Sequence, residues 1–269
     1  MITTTWALAR SKMSVCVNGT FIPFEKAPDT MQRFVRPALF STGCKSWELR
    51  TFGTAFLCSY RGRSQAILTR HQTGDGIEKP SPEKFVTLAN VGDKTLAIPP
   101  SHIYTPSIYE LNCQSLRDLC IFDYGDQSHK QRIRTLDIST MFWSDSEGLQ
   151  TDYSFLIGYP TASFDAETNN DGEYTKFVTK WIRQDLEEAH PQVLDLENRN
   201  IFVKHSSSTR ISIDPDGLSG SPVFSIVNDR SHDRYLRFDG IITNANKDRF
   251  AIYPSVYIRQ FMDKIIDGD

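Results

Sequence analysis

The chain has 269 residues, 39% apolar and 12% aromatic, and its 30 Lys and Arg against 33 Asp and Glu leave a net charge of −3. That balance gives no electrostatic case for nucleic acid or an anionic membrane as partner, while the apolar content suffices for one large core or two small ones. No stretch approaches the roughly 20 apolar residues of a bilayer span, and Thr3, Thr4, Thr5, Arg10, Ser11 and Lys12 occupy the place of a signal peptide's apolar centre.

Residues 1–44 are irregular and read as an N-terminal extension packed over the main body. From Trp47 onward, short apolar and β-branched runs are separated by Gly, Pro, Asn and Asp: 53–60, 65–69, 85–91, 119–122, 154–158, 201–204, 222–227 and 238–243. Many short strands between turn residues predict an all-β sandwich or barrel. The polar run 144–148 is the best linker, which divides the body into units 45–143 and 144–269, and polar residues cluster again at 163–172. The run Tyr174, Phe177, Val178, Trp181, Ile182, Leu186 fits a helical stripe and a strand equally. Residues 256–266 predict a C-terminal helix capped by Ser255 and ended at Gly268.

The five cysteines, Cys16, Cys44, Cys58, Cys113 and Cys120, are odd in number and mostly set in apolar runs. They read as buried thiols, because neither a disulfide framework nor the paired spacing of a zinc site is present. A reducing compartment, most simply the cytoplasm, is expected.

The segment Gly217-Leu218-Ser219-Gly220-Ser221-Pro222-Val223 sets a serine between glycines at the start of a strand. A nucleophilic hydroxyl needs a sharp turn that lifts it clear of the backbone and lets nearby N–H groups converge on the developing oxyanion. Ser-Gly-Ser-Pro also describes ordinary hairpin loops, so a base and a carboxylate are required as well. Of the six histidines, only His71 closes an apolar strand, Ala66-Ile67-Leu68-Thr69-Arg70-His71, for which Gly53 to Leu57 supplies an antiparallel partner. Asp118 stands at the mouth of the strand Leu119-Cys120-Ile121-Phe122. Its rival at the far end, Asp123, reads as a surface turn residue because Tyr124-Gly125-Asp126 follows.

The order His71, Asp118, Ser219, in the contexts Ile-Leu-Thr-x-His, Asp-Leu-x-Ile-Phe and Gly-x-Ser-Gly-Ser-Pro-Val, resembles the trypsin-like (chymotrypsin-fold) serine peptidases, most closely their bacterial, HtrA-type branch. Phe155-Leu156-Ile157-Gly158-Tyr159-Pro160 and Gly240-Ile241-Ile242-Thr243-Asn244-Ala245 fall where that family has corresponding strands. The resemblance implies two six-stranded antiparallel β-barrels with a C-terminal helix, His71 and Asp118 coming from the first barrel and Ser219 from the second. It implies a Ser-His-Asp endopeptidase acting on polypeptide through an acyl-enzyme, without metal or cofactor. The N–H groups of Gly217 and Ser219 would form the oxyanion hole. Substrate would lie along Thr243, Asn244 and Ala245, its side chain directed towards Ile213 and Asp214. Ala245 and Ala251 stand where the family often has glycine, which implies a shallow pocket for small or medium apolar side chains, unless Asp214 selects a basic one.

Departures from the family pattern carry their own expectations. One residue, Arg70, separates Thr69 from His71 where the family has two, so the turn presenting the histidine is shortened or shifted. Gln72 takes the place of valine or cysteine, and Leu218 replaces the aspartate of members activated by a newly cut N-terminus. The alternative expectation is a catalytically weak or inactive trypsin-like domain that acts as a peptide-binding or protein-interaction module.

Overall fold

A computed structural model describes residues 14–44, 47–73, 81–91, 94–106, 117–125, 133–142, 148–168, 174–189, 200–205 and 215–268. The strands are β1 (Ser14–Val17), β2 (Thr20–Pro23), β3 (Val35–Cys44), β4 (Trp47–Tyr60), β5 (Arg63–Thr69), β6 (Phe85–Val91), β7 (Lys94–Ile98), β8 (His102–Tyr104) and β9 (Leu119–Asp123). They continue with β10 (Leu136–Asp137), β11 (Gln150–Gly158), β12 (Phe164–Thr168), β13 (Tyr174–Thr179), β14 (Ile182–Glu188), β15 (Asn200–Lys204), β16 (Pro222–Asn228), β17 (Arg234–Ala245) and β18 (Arg249–Pro254). Helix α1 (Ala27–Met31) lies between β2 and β3, and α2 (Ser255–Asp267) closes the described chain. Among the described residues no helix is long and apolar enough to cross a membrane.

The chain is all-β with two curled sheets and a C-terminal helix, as the strand pattern predicts. The second sheet runs β16-β11-β14-β15-β18-β17 and closes through β16–β17 into a six-strand barrel. The first runs β7-β6-β3-β4-β5-β9-β8 and is a curled half-barrel. All eight runs expected to be strands are strands, and the ambiguous run at 174–186 forms β13 and β14. The polar stretch expected as a loop at 163–172 contains β12, which pairs with β13. Most of the linker expected at 144–148 lies outside the described residues. Helix α2 begins at Ser255 with extended Pro254 as its cap, so Ser255 is the first helical residue instead of the cap: strand β18 feeds straight into the helix. Gly268 ends it at φ 82°.

Residues 14–44 serve both halves. Strand β1 pairs parallel with β17 of the barrel, while β3 pairs with β4 and β6 of the half-barrel. Pro37 and the register shift beside it hide β3 from an alternation reading.

Apolar alternation places three cores. Phe40, Phe85 and Phe122 fill the half-barrel, and Leu156, Val223, Ile242 and Ile252 fill the barrel. Between them, Phe56, Ile67 and Ile121 from the half-barrel meet Phe155, Phe224 and Phe238 from the barrel. Strand β9 is buried along both faces, which is why it reads as an unbroken apolar run. The Phe56 ring lies 5.6 Å from Phe224 and 5.1 Å from Phe238, so one side chain of β4 anchors the half-barrel to β16 and β17. Replacing a fully buried phenylalanine removes both its transfer free energy and its packing. Phe56→Ala is expected to lower unfolding free energy by about 3–5 kcal/mol, read from urea denaturation.

Asp239 of β17 is buried in the barrel wall. Its carboxylate takes a 2.6 Å bond from Ser225 Oγ and pairs with Arg237 at 2.6 Å, while Ser154 Oγ lies 2.7 Å from Ser225 Oγ. Burial pushes its pKa up to about 6, against the opposing pull of Arg237 and Ser225. A carboxyl whose folded pKa is raised stabilises the fold most below its unfolded value, and that stability is lost as pH rises through the folded value. Wild type is therefore expected to lose roughly 2 kcal/mol more than Asp239→Asn between about pH 4 and pH 6, from thermal melts across that range.

Candidate active site

The β5–β9 register brings His71 and Asp118 together. Thr69 pairs with Leu119 and Gln65 with Asp123, so in this antiparallel pair the residues just after Thr69 lie beside the residue just before Leu119. The chain leaves β5 in a single 3-10 turn, Arg70–Gln72, and the shortened loop still delivers the imidazole to the aspartate. Asp118 Oδ1 accepts the His71 backbone N–H at 2.8 Å and Oδ2 lies 2.7 Å from ring Nδ1. Contrary to the expectation of a surface turn residue, Asp123 is fully buried, pairs with Arg63 and accepts the Gly125 N–H at 2.7 Å.

With Nδ1–H donated to Asp118, the neutral ring presents an Nε2 lone pair, and Ser219 Oγ lies 2.8 Å from it. Thr69 Oγ1 is 3.5 Å from Nε2, but its proton goes to Gln72 Oε1 at 2.8 Å. The Ser219 hydroxyl is thus the donor that Nε2 receives. His71 and Asp118 keep 40% and 27% of their side-chain surface, so the imidazole faces open solution. Cys120, next along β9, is fully buried and its thiol is pushed up to about 12 by burial, which removes it as a rival nucleophile.

The serine turn is shaped by peptide orientation. Asp216 C=O accepts the Thr161 N–H at 3.1 Å and Leu218 C=O accepts the Ser221 N–H at 2.9 Å. In trans peptides the N–H opposes the C=O, so the N–H groups of Gly217 and Ser219 point away from those partners. Among the described residues neither has an acceptor. The Leu218 N–H turns inward to Pro215 O at 3.1 Å, and the side chain of Leu218 is buried. Two free donors beside a hydroxyl bonded to an imidazole form a pair able to hold an oxyanion.

A cleft of about 490 Å³ adjoins these groups, lined by His71, Pro215, Asp216, Gly217, Ser219, Thr243, Asn244 and Ala245. Ile242 completes the pairing beside the serine turn, its N–H to Ser221 O and its C=O from Gly220 N–H, both 2.8 Å. Beyond it no described strand pairs with Thr243, Asn244 and Ala245 on that side, leaving an open edge next to the cleft. Thr243 turns its hydroxyl to Ala251 O at 3.2 Å. Ala251 is buried, opposite Asn244 on β18, and does not line the cleft. The expected pocket residues Ile213 and Asp214 lie outside the described residues.

Three residues that sequence reading does not assign to the site hold it together. Thr54 donates its N–H to Ser219 O at 3.0 Å and its hydroxyl to Gly217 O at 2.9 Å. Gln72 bonds Thr69, Phe52 and Thr54, and Thr161 receives the back of the Gly217 turn. For Thr54 the sequence signal is a polar residue in an apolar strand, which ordinary strand threonines share.

A scan against protein-family models finds no match, and none of the curated proteins searched is similar to this chain.

Gly220 sits at φ +81° with the place of a Cβ only 2.1 Å from Thr54 O, a backbone atom that cannot swing aside. Gly220→Ala is expected to cost at least about 1–3 kcal/mol from the left-handed backbone alone, with the collision added, seen as a lowered melting temperature.

Proposed function

We propose that the chain is a trypsin-like serine endopeptidase. The single observation that supports this most is the hydrogen-bonded line from Ser219 Oγ through His71 Nε2 and Nδ1 to Asp118 Oδ2, at 2.8 and 2.7 Å. On this reading Ser219 attacks a peptide carbonyl while His71 takes the hydroxyl proton, and the charged ring is stabilised by Asp118. The tetrahedral oxyanion is held by the N–H groups of Gly217 and Ser219. His71 then returns its proton to the leaving amine, and water repeats the sequence on the acyl-enzyme.

The substrate on this reading is a polypeptide that adds a strand along Thr243, Asn244 and Ala245, so main-chain bonding carries much of its binding. Among the described residues the thiols of Cys16, Cys58 and Cys120 are free, in keeping with a reducing, cytoplasmic setting.

A fluorophosphonate probe tests the reading directly. Wild type is expected to label covalently, with Ser219→Ala and His71→Ala unlabelled. Turnover of a peptide substrate is expected to fall on the order of 10⁶ in Ser219→Ala and on the order of 10⁴ in Asp118→Asn, which keeps the shape but loses the tautomer control. A folded wild type that takes no label, under conditions that label a control protease, would sink the proposal and leave the open edge of β17 as a peptide-binding surface.

A further inference from the structure

Thr54 lies on β4, in the half-barrel, yet its hydroxyl serves the barrel. The residue is fully buried. Its Oγ1 accepts the Tyr159 N–H at 2.9 Å and donates to Gly217 O at 2.9 Å. No other assignment of that proton satisfies both partners, since an amide N–H can only donate and a carbonyl can only accept. The hydroxyl rotor is therefore fixed.

We infer that the Thr54 hydroxyl is a positioning group for the oxyanion-binding turn, acting through the Gly217 carbonyl; the inference rests on the peptidase reading above. Gly217 C=O belongs to the peptide between the two whose N–H groups face the cleft. Successive planes in this turn alternate: Asp216 C=O to Thr161 N–H, Gly217 C=O to Thr54, and Leu218 C=O to Ser221 N–H. Holding the middle plane holds the outer two. Without the hydroxyl, a buried carbonyl and the Tyr159 N–H both lose their partners, and a buried unpaired carbonyl turns towards water. Here the water is in the cleft, so that rotation swings the Gly217 and Ser219 N–H groups out of convergence. The imidazole is tied elsewhere, to Asp118, so its basicity is left unchanged.

Valine matches threonine in shape and lacks the hydroxyl; serine keeps it. Fluorophosphonate labelling of Thr54→Val is expected to slow about 10- to 100-fold, the cost of a small misplacement of catalytic groups. Thr54→Ser should stay within about threefold of wild type, far less than tenfold for the loss of a methyl that makes no hydrogen bond. The pH midpoint of labelling, which reports His71, should be the same in all three. Equal rates in wild type and Thr54→Val, or equal slowing in Thr54→Ser, would overturn the inference. Amide exchange gives a readout that does not require activity: Leu218, Gly220 and Ser221 amides should exchange faster in Thr54→Val and at the wild-type rate in Thr54→Ser. Should wild type itself fail to label, the peptidase reading falls while exchange still decides the positioning role, unchanged exchange in Thr54→Val overturning it. If Thr54→Val does not fold, Thr54→Ala is compared with Thr54→Ser in the same two measurements.

Discussion

Ser219 comes from one sheet and His71 from another, and the 2.8 Å between them has to be set across a junction of two separately built units. The apolar layer around Phe56, Phe224 and Phe238 supplies cohesion, but hydrophobic burial is non-directional and does not by itself fix hydrogen-bond distances across the junction, which leaves them some freedom. Directional bonds remove that freedom. The Thr54 N–H to Ser219 O bond ties the backbone of β4 to the carbonyl of Ser219 itself. Gly220, with Thr54 O only 2.1 Å from the place a Cβ would take, lets the two chains come that close. An error of about 1 Å between catalytic groups can cost 10²-fold in rate, so this close backbone contact is where the geometry of the site is set.

The elements of the fold were legible because most strands here are buried on one or both faces and carry the corresponding pattern. Strand β9, Leu119–Asp123, is buried throughout and shows as a continuous apolar run, while α2 is amphipathic and ends at a glycine. Strand β3 was hidden by Pro37, and β12 by its polar composition, since it pairs only with β13 in a two-stranded sheet. The closure of the barrel through β16–β17, and the openness of the other sheet, depend on long-range pairing that no local pattern encodes. Ser219, His71 and Asp118 could be picked out because each sits at the end of a recognisable strand. Thr54, Gln72 and Thr161 could not, since their importance exists only after distant segments meet.

The two buried aspartates outside the site clarify what singles out Asp118. Asp123 and Asp239 each sit in a strand with an arginine beside them, Arg63 and Arg237, and each is closed off from solution. Those pairs balance a desolvated charge within the wall of a sheet. Among the described residues no lysine or arginine pairs with Asp118. It takes two N–H groups from one residue, His71, and keeps about a quarter of its surface in water. A carboxylate arranged in that way spends its acceptor capacity on orienting one ring, and protonation of that ring gives it a cationic partner. The β5–β9 register produces this distinction, placing one aspartate at the end of the pair that opens on the cleft and the other at the opposite end.

The short turn before His71 departs most from the trypsin-like pattern, and Gln72 explains how the chain tolerates it. One residue fewer would let the histidine hang from a strained loop unless something closed the turn from beneath. Gln72 does so: its Oε1 accepts both the N–H and the hydroxyl of Thr69 at 2.8 Å, a reciprocal cap on a 3-10 turn, and its Nε2 donates to Phe52 O and Thr54 O at 3.1 and 3.2 Å. The same amide packs beneath Gly220, whose Cβ would lie 2.8 Å from Oε1. Thr69 before the histidine and Gly220 after the serine therefore rest on one buried side chain. The two turns take their positions from a common support, so a shift of that support moves His71 and Ser219 together and leaves the distance between them largely preserved.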